Sequence, residues 1–210
     1  DHKVLTARNV TRYGIEKTWR TARELAPGEI IVLHDHRAAP EWPGAHGENE
    51  GYLLGLLVGD GTLKADKAVL SVWPRRAVAN GDSGDIDGVA GVMVAALAAA
   101  RTLPHRSDFV GWIEVPGRGE YRLALGALKS LARELGLAPG AKTVTTAIER
   151  ESSRFYRGFL RGLFDADGSV LGSQAKGVSV RLSQSDAGLL RAVQRMLLRL
   201  GIVARIYTDR

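Results

Sequence analysis

Cysteine is absent from the 210-residue chain, which excludes a disulfide framework, a thiolate zinc centre and a cysteine nucleophile. Long apolar runs are missing too. The longest, Val89 to Ala100, falls well short of the ~20 residues a membrane-spanning helix needs, so it reads as a buried helix and no membrane partner is expected. The opening Asp1-His2-Lys3 lacks the basic and then apolar pattern of a secretion signal. It reads as a chain already under way, and a cytoplasmic location is the expectation.

What is present is a hydrophobic content of 45%, sufficient to bury a core. Lys and Arg number 29 against 23 Asp and Glu, a net charge of +6 with a pI of about 9.8. That balance favours a polyanionic partner such as nucleic acid.

Residues 4 to 33 mix short β-prone runs with a polar segment, and Leu25-Ala26-Pro27-Gly28-Glu29 forms a turn before an apolar strand, Ile30 to Leu33. From His34 the composition shifts to His, Ala, Pro and Gly, with Pro40 and Pro43 breaking any regular element, which predicts a linker over 34–48. His34, His36, His46 and His105 lack ligand-like spacing, and the linker histidines are expected to be solvated.

Beyond the linker the chain repeats itself. Gly51-Tyr52-Leu53-Leu54-Gly55-Leu56-Leu57-Val58-Gly59-Asp60-Gly61 matches Gly158-Phe159-Leu160-Arg161-Gly162-Leu163-Phe164-Asp165-Ala166-Asp167-Gly168, 107 positions later. Each copy is followed by a β-type run, Thr62 to Trp73 and Ser169 to Leu182, and then by a helical pattern, Asp85 to Arg101 and Asp186 to Leu200. A hairpin, Asp108 to Val115 and Glu120 to Ala124, and a helix, Leu125 to Leu135, complete the first unit. The second continues with one strand, Ile202 to Tyr207, and its last strand and helix are expected to be missing.

Small residues recur at every fourth position: Gly51, Gly55 and Gly59 in one copy, Gly158, Gly162 and Ala166 in the other. Two such smooth faces let helix backbones approach closely. Packed in parallel, the helices would set Asp60 and Asp167 side by side at their C-termini, where the macrodipole and mutual repulsion both oppose negative charge. A divalent cation between them, bound also by backbone carbonyls and substrate phosphates, would offset that cost. Asp165 reads as a structural carboxylate, since its counterpart is Val58.

These segments resemble the paired motifs of the LAGLIDADG, or DOD-type, homing endonucleases. Lys142, twenty-five residues before Asp167, resembles the family's basic residue near the scissile phosphate, with an ordinary surface lysine as the alternative. The resemblance implies an α+β fold of two pseudo-symmetric αββαββα subdomains, 49–138 and 139–210, the second incomplete at its C-terminus. It implies catalytic roles for Asp60, Asp167 and Lys142, and a metal site of Asp60 and Asp167 with Gly59 and Ala166 beside them. Mg²⁺ is the implied cofactor, with Mn²⁺ as a substitute.

The implied partner is double-stranded DNA with a long asymmetric target, gripped by a pseudo-symmetric monomer. Strand residues would read base edges in the major groove: Thr62, Lys64, Lys67 and Arg122 from the first unit, Ser169, Gln174, Lys176 and Arg181 from the second. Arg150, Arg154, Arg157 and Arg161 recur along one helix face, either as solvated surface or as phosphate contacts.

Residues 1–33 are similar to part of an intein splicing domain, carried by Asp1-His2-Lys3-Val4-Leu5-Thr6, Trp19-Arg20-Thr21-Ala22-Arg23-Glu24-Leu25 and Pro27-Gly28-Glu29. His2 would be that domain's histidine, retained as a relic. The combined expectation is an intein-borne, site-specific double-strand DNA endonuclease. The alternatives are a decayed or non-cleaving nucleic-acid binder, such as a maturase or regulator, and a protein-splicing module in the full-length parent.

Overall fold

A computed structural model of the protein describes residues 1–33, 41–74, 86–173, 175 and 177–207. Nine strands and five α-helices fall within those residues.

Helix α1, Glu48–Gly59, is apolar on every side, and its residues Gly51 to Val58 are all buried. Such a helix can exist only at the centre of a fold. Helix α4, Ser153–Asp167, is amphipathic: Phe155, Tyr156, Phe159, Leu160 and Leu163 are buried, whereas Arg154, Arg157 and Arg161 face out. Its N-terminus is capped by Ser152, whose Oγ accepts from Phe155 N at 3.0 Å.

The two helices meet through their glycines. A β-carbon on Gly51 would lie 2.2 Å from Phe155 O, and one on Gly55 2.1 Å from Phe159 O. In return, β-carbons on Gly158 and Gly162 would lie 2.0 Å from Glu48 O and 2.2 Å from Tyr52 O. The contacts advance together along both helices, so the pair runs parallel, backbone against backbone.

Around this seam Leu53, Leu54, Leu57, Phe155, Phe159 and Leu163 head a core that also takes in Leu70, Leu123, Leu128, Leu189 and Met196. The first sheet has the order β4-β5-β7-β6, built from Thr62–Leu63, Ala68–Val72, Glu120–Ala124 and Ile113–Val115. Helices α2 (Ile86–Thr102) and α3 (Gly126–Glu134) pack with α1. After α4 come β8 (Gly168–Ser173), β9 (Gly177–Leu182) and α5 (Ala187–Arg199).

Two expected strands differ. The run from Asp108 shrinks to Ile113–Val115, because Phe109 N turns back to Arg106 O and Gly111 adopts a φ of +87°. Residues 202–207 carry no strand. In the first sheet the third strand in chain order, β6, pairs with the fourth, β7, whereas β8 and β9 form a sheet of two.

Residues 1–33 form a sheet of order β2-β1-β3, from Lys3–Thr11, Gly14–Thr21 and Ile30–Ile31. Its buried residues are Thr6 and Ala7, and it contributes none to the main core.

Within the expected linker, 34–40 lie outside the described residues, while 41–47 dock on the start of α4. Trp42 Nε1 donates to Glu151 O at 2.8 Å, and Ser153 N to Trp42 O at 3.2 Å. His46 corrects its expectation of a solvated ring. Its Nδ1 lies 2.9 Å from Glu151 Oε1 and its side chain is 15% exposed, because the buried Glu151 carboxylate needs partners that water cannot supply. Burial alone would raise the Glu151 pKa, but the ring and backbone of His46 and the Ser152 N–H together hold it below the ordinary value. His105 is exposed, and His34 and His36 lie outside the described residues.

Candidate functional site

Both motif aspartates stand at helix ends. Asp60 is the C-cap of α1, its N–H bonded to Leu56 O at 3.1 Å, and Asp167 is the last residue of α4. The parallel seam brings these ends together: a β-carbon on Gly59 would lie 2.5 Å from Ala166 Cβ and 3.0 Å from Asp167 Oδ2. Asp167 is half-buried and its pKa is raised, first by that burial and then by the negative charge of Asp60, against the pull of Lys142 and a hydrogen bond from Gln184.

Lys142 lies at the same place. Its Nζ donates to Leu57 O at 3.0 Å, to Gly59 O at 3.2 Å and to Gly61 O. Leu57 and Gly59 belong to the last turn of α1, whose carbonyls a helix leaves without intrahelical partners, and Gly61 lies just beyond it. Burial pushes the ammonium pKa down, while Asp167 and Asp60 draw it back up. Gly59, expected to lend its carbonyl to a metal, lends it here to lysine.

Two carboxylates and backbone oxygens are hard donors that fit Mg²⁺ or Mn²⁺. Among the described residues no group of three or more His, Cys, Asp or Glu could hold an ion. A cation here would therefore complete its shell with carbonyls, water and phosphate.

Beyond Asp60 opens a groove of about 1270 Å³ across the first sheet. Thr62, Lys64, Lys67 and Arg122 all line it, because residues two apart share one strand face, while Leu63, Leu70 and Leu123 on the other face enter the core. Arg122 is held by Glu120, Nε to Oε1 at 2.7 Å and Nη2 to Oε2 at 3.0 Å. In the second hairpin Ser169 and Arg181 are exposed cross-strand partners, and Arg181 Nε donates to Ser179 Oγ at 3.0 Å. Neither lines the groove of the first sheet, and Gln174 and Lys176 lie outside the described residues. His2 is exposed just before β1, the central strand of the N-terminal sheet, its carbonyl accepting from Ala22 N at 2.8 Å.

The arginines of α4 are largely engaged within the protein. Arg157 pairs with Glu41 at 2.6 Å and Arg154 with the same carboxylate group at 3.6 Å. Arg161 lies over the Tyr52 ring at 4.8 Å and 3.7 Å from Asp165, which also accepts from Tyr52 Oη at 2.9 Å. Asp165 is therefore a structural carboxylate joining α1 to α4.

Two residues of the site escaped the sequence reading. Gln184 donates Nε2 to Asp167 Oδ2; it sits in a polar run before α5 that carries no local signal of this role. Glu120 is buried in the groove, and its spacing of two from Arg122 carried the signal.

A family model described as a LAGLIDADG-like domain matches residues 154–210. Over 205 residues the chain is 28% identical to a replicative DNA helicase DnaB from Rhodothermus marinus, a match covering 94% of this chain and 21% of that protein. The chain thus spans about a fifth of that relative's length. It is also similar to the crystal structure of a doubly substituted I-DmoI in complex with its target DNA, nicked in the coding strand, in the presence of Mn. That likeness has a TM-score of 0.44 and 19% identity and covers 78% of this chain and 82% of the other.

Proposed function

We propose that this chain is a site-specific double-strand DNA endonuclease of the intein-homing kind, hydrolysing phosphodiester bonds with divalent cations held between Asp60 and Asp167. The observation that carries the reading is the meeting of the two helix ends, where Gly59 faces the Asp167 carboxylate closely enough that a β-carbon would lie 3.0 Å from Oδ2. The LAGLIDADG-like match over residues 154–210 supports the second motif, and the repeat extends the reading to the first.

The cation, Mg²⁺ with Mn²⁺ as a substitute, supplies an activated water and Lewis acidity when bound. Asp60 and Asp167 orient it, each serving one DNA strand, and Gln184 fixes the Asp167 carboxylate. Lys142 brings positive charge to the phosphate. The groove residues Thr62, Lys64, Lys67 and Arg122 contact the duplex beside Asp60. Ser169, Gln174, Lys176 and Arg181 extend that contact along a long asymmetric site, so that a pseudo-symmetric monomer suffices. The N-terminal sheet with His2 is the remnant of a splicing domain, and the chain is an insert carried by a longer cytoplasmic host protein.

A second reading, a non-cleaving nucleic-acid binder, is favoured by one observation: Lys142 is engaged by three carbonyls. A cleavage assay separates the two, using Mg²⁺ and DNA with the uninterrupted insertion site. The wild type should cut both strands, while Asp60→Asn and Asp167→Asn should bind without double-strand cutting. Full cutting by either variant would end the nuclease assignment of that residue.

A further inference from the structure

Asp60 and Asp167 present two like charges at helix ends that themselves repel anions, yet the arrangement is held together. The group that sits there is Lys142. Its three N–H donors meet three carbonyls, those of Leu57, Gly59 and Gly61, so the ammonium has the full set of acceptors it can use. The same ammonium is drawn by both aspartates. It therefore caps the end of α1 and sets a positive charge near the acid pair at once. A divalent cation needs much the same surroundings: the two carboxylates and the nearby carbonyl oxygen of Gly59. Lysine and metal cannot both hold that carbonyl closely, because a dication would repel the ammonium.

We infer that Lys142 is the resident counter-ion of the acid pair, occupying the carbonyls of α1 until a divalent cation displaces it. This rests on the reading of Asp60 and Asp167 as the metal pair. Displacement also gives Lys142 its later place, since an ammonium expelled from the carbonyls on a long, flexible stem is free to meet an incoming phosphate. Metal loading and arming of the lysine become one event.

The test uses the protein without DNA. Mn²⁺ binding is measured by calorimetry for wild type and Lys142→Met, a neutral side chain of similar length. The variant should bind Mn²⁺ about tenfold more tightly, equivalent to about 1.4 kcal/mol, because the competing cation is gone. A second measurement avoids any dependence on how the variant folds: the Lys142 ammonium resonance of wild type is followed by nitrogen-detected NMR in EDTA and then through a Mg²⁺ titration. It should be slow to exchange in EDTA and should shift or vanish as Mg²⁺ saturates. Equal or weaker Mn²⁺ binding by a folded Lys142→Met, or an ammonium signal unmoved at saturating Mg²⁺, overturns the inference while leaving the metal site in place. No divalent binding by either protein removes the metal pair itself, and the inference with it.

Discussion

Gly55 lies against Phe159 so closely that a β-carbon on the glycine would stand 2.1 Å from the phenylalanine's carbonyl oxygen and 2.8 Å from the backbone nitrogen of Leu163. Backbone atoms inside a helix cannot swing aside as a side chain can. Gly55→Ala and Gly162→Ala should each lower the unfolding free energy by about 3 kcal/mol. Gly88→Ala, on α2 where nothing lies within 4 Å of the added methyl, should raise it by about 0.5 to 1 kcal/mol. Urea unfolding curves of the three variants check this. Similar small effects at all three positions would mean that α1 and α4 do not meet through glycine.

The acid pair makes stability depend on pH. Burial and the charge of Asp60 raise the Asp167 pKa in the folded protein, so over the window between the unfolded and folded values the native state holds the proton that the unfolded state has released. Stability therefore falls as pH rises through that window. In EDTA, Asp167→Asn should be more stable than wild type near neutral pH, and the gain should disappear below about pH 4, where the unfolded aspartate is also protonated. Melting temperatures measured across that range decide it; a gain that persists in acid would show that charge is not its source.

Binding to duplex DNA should distinguish the groove from the α4 surface. Lys64 lines the groove beside Thr62 and Lys67, whereas Arg154 is paired with Glu41 and lies outside it. Lys64→Ala should reduce the slope of log affinity against log salt by about 0.9, the value of one phosphate contact, and Arg154→Ala should leave it unchanged. Arg122→Ala should relax base preference at one position by about 1 to 3 kcal/mol. Titrations at several salt concentrations, with selection from a random duplex library, measure both; an unchanged slope for Lys64→Ala would place the DNA elsewhere.

Much of this was legible before the structure. The every-fourth spacing of Gly51, Gly55, Gly158 and Gly162 pointed to a close helix seam, and those four glycines form it. Thr62, Lys64, Lys67 and Arg122, named as strand residues facing DNA, line the groove of the first sheet, while the core face of Leu63, Leu70 and Leu123 is known only from the structure. Ile202 to Tyr207 read as the strand that continues the second unit, but these residues carry none, because a strand is defined by its neighbour. Gln184 and His46 were illegible because their partners, Asp167 and Glu151, are remote along the chain or across a loop.

The sequence alone determined which residues could be small, which could alternate and where each helix had to stop, since these follow from local backbone geometry and the spacing of apolar side chains. Only the tertiary structure decided what fills the space between the helix ends. The direction of the Lys142 side chain depends on three carbonyls at and just beyond the end of α1 and on two carboxylates brought together by a seam elsewhere in the chain, and no local pattern of residues encodes where those five groups converge.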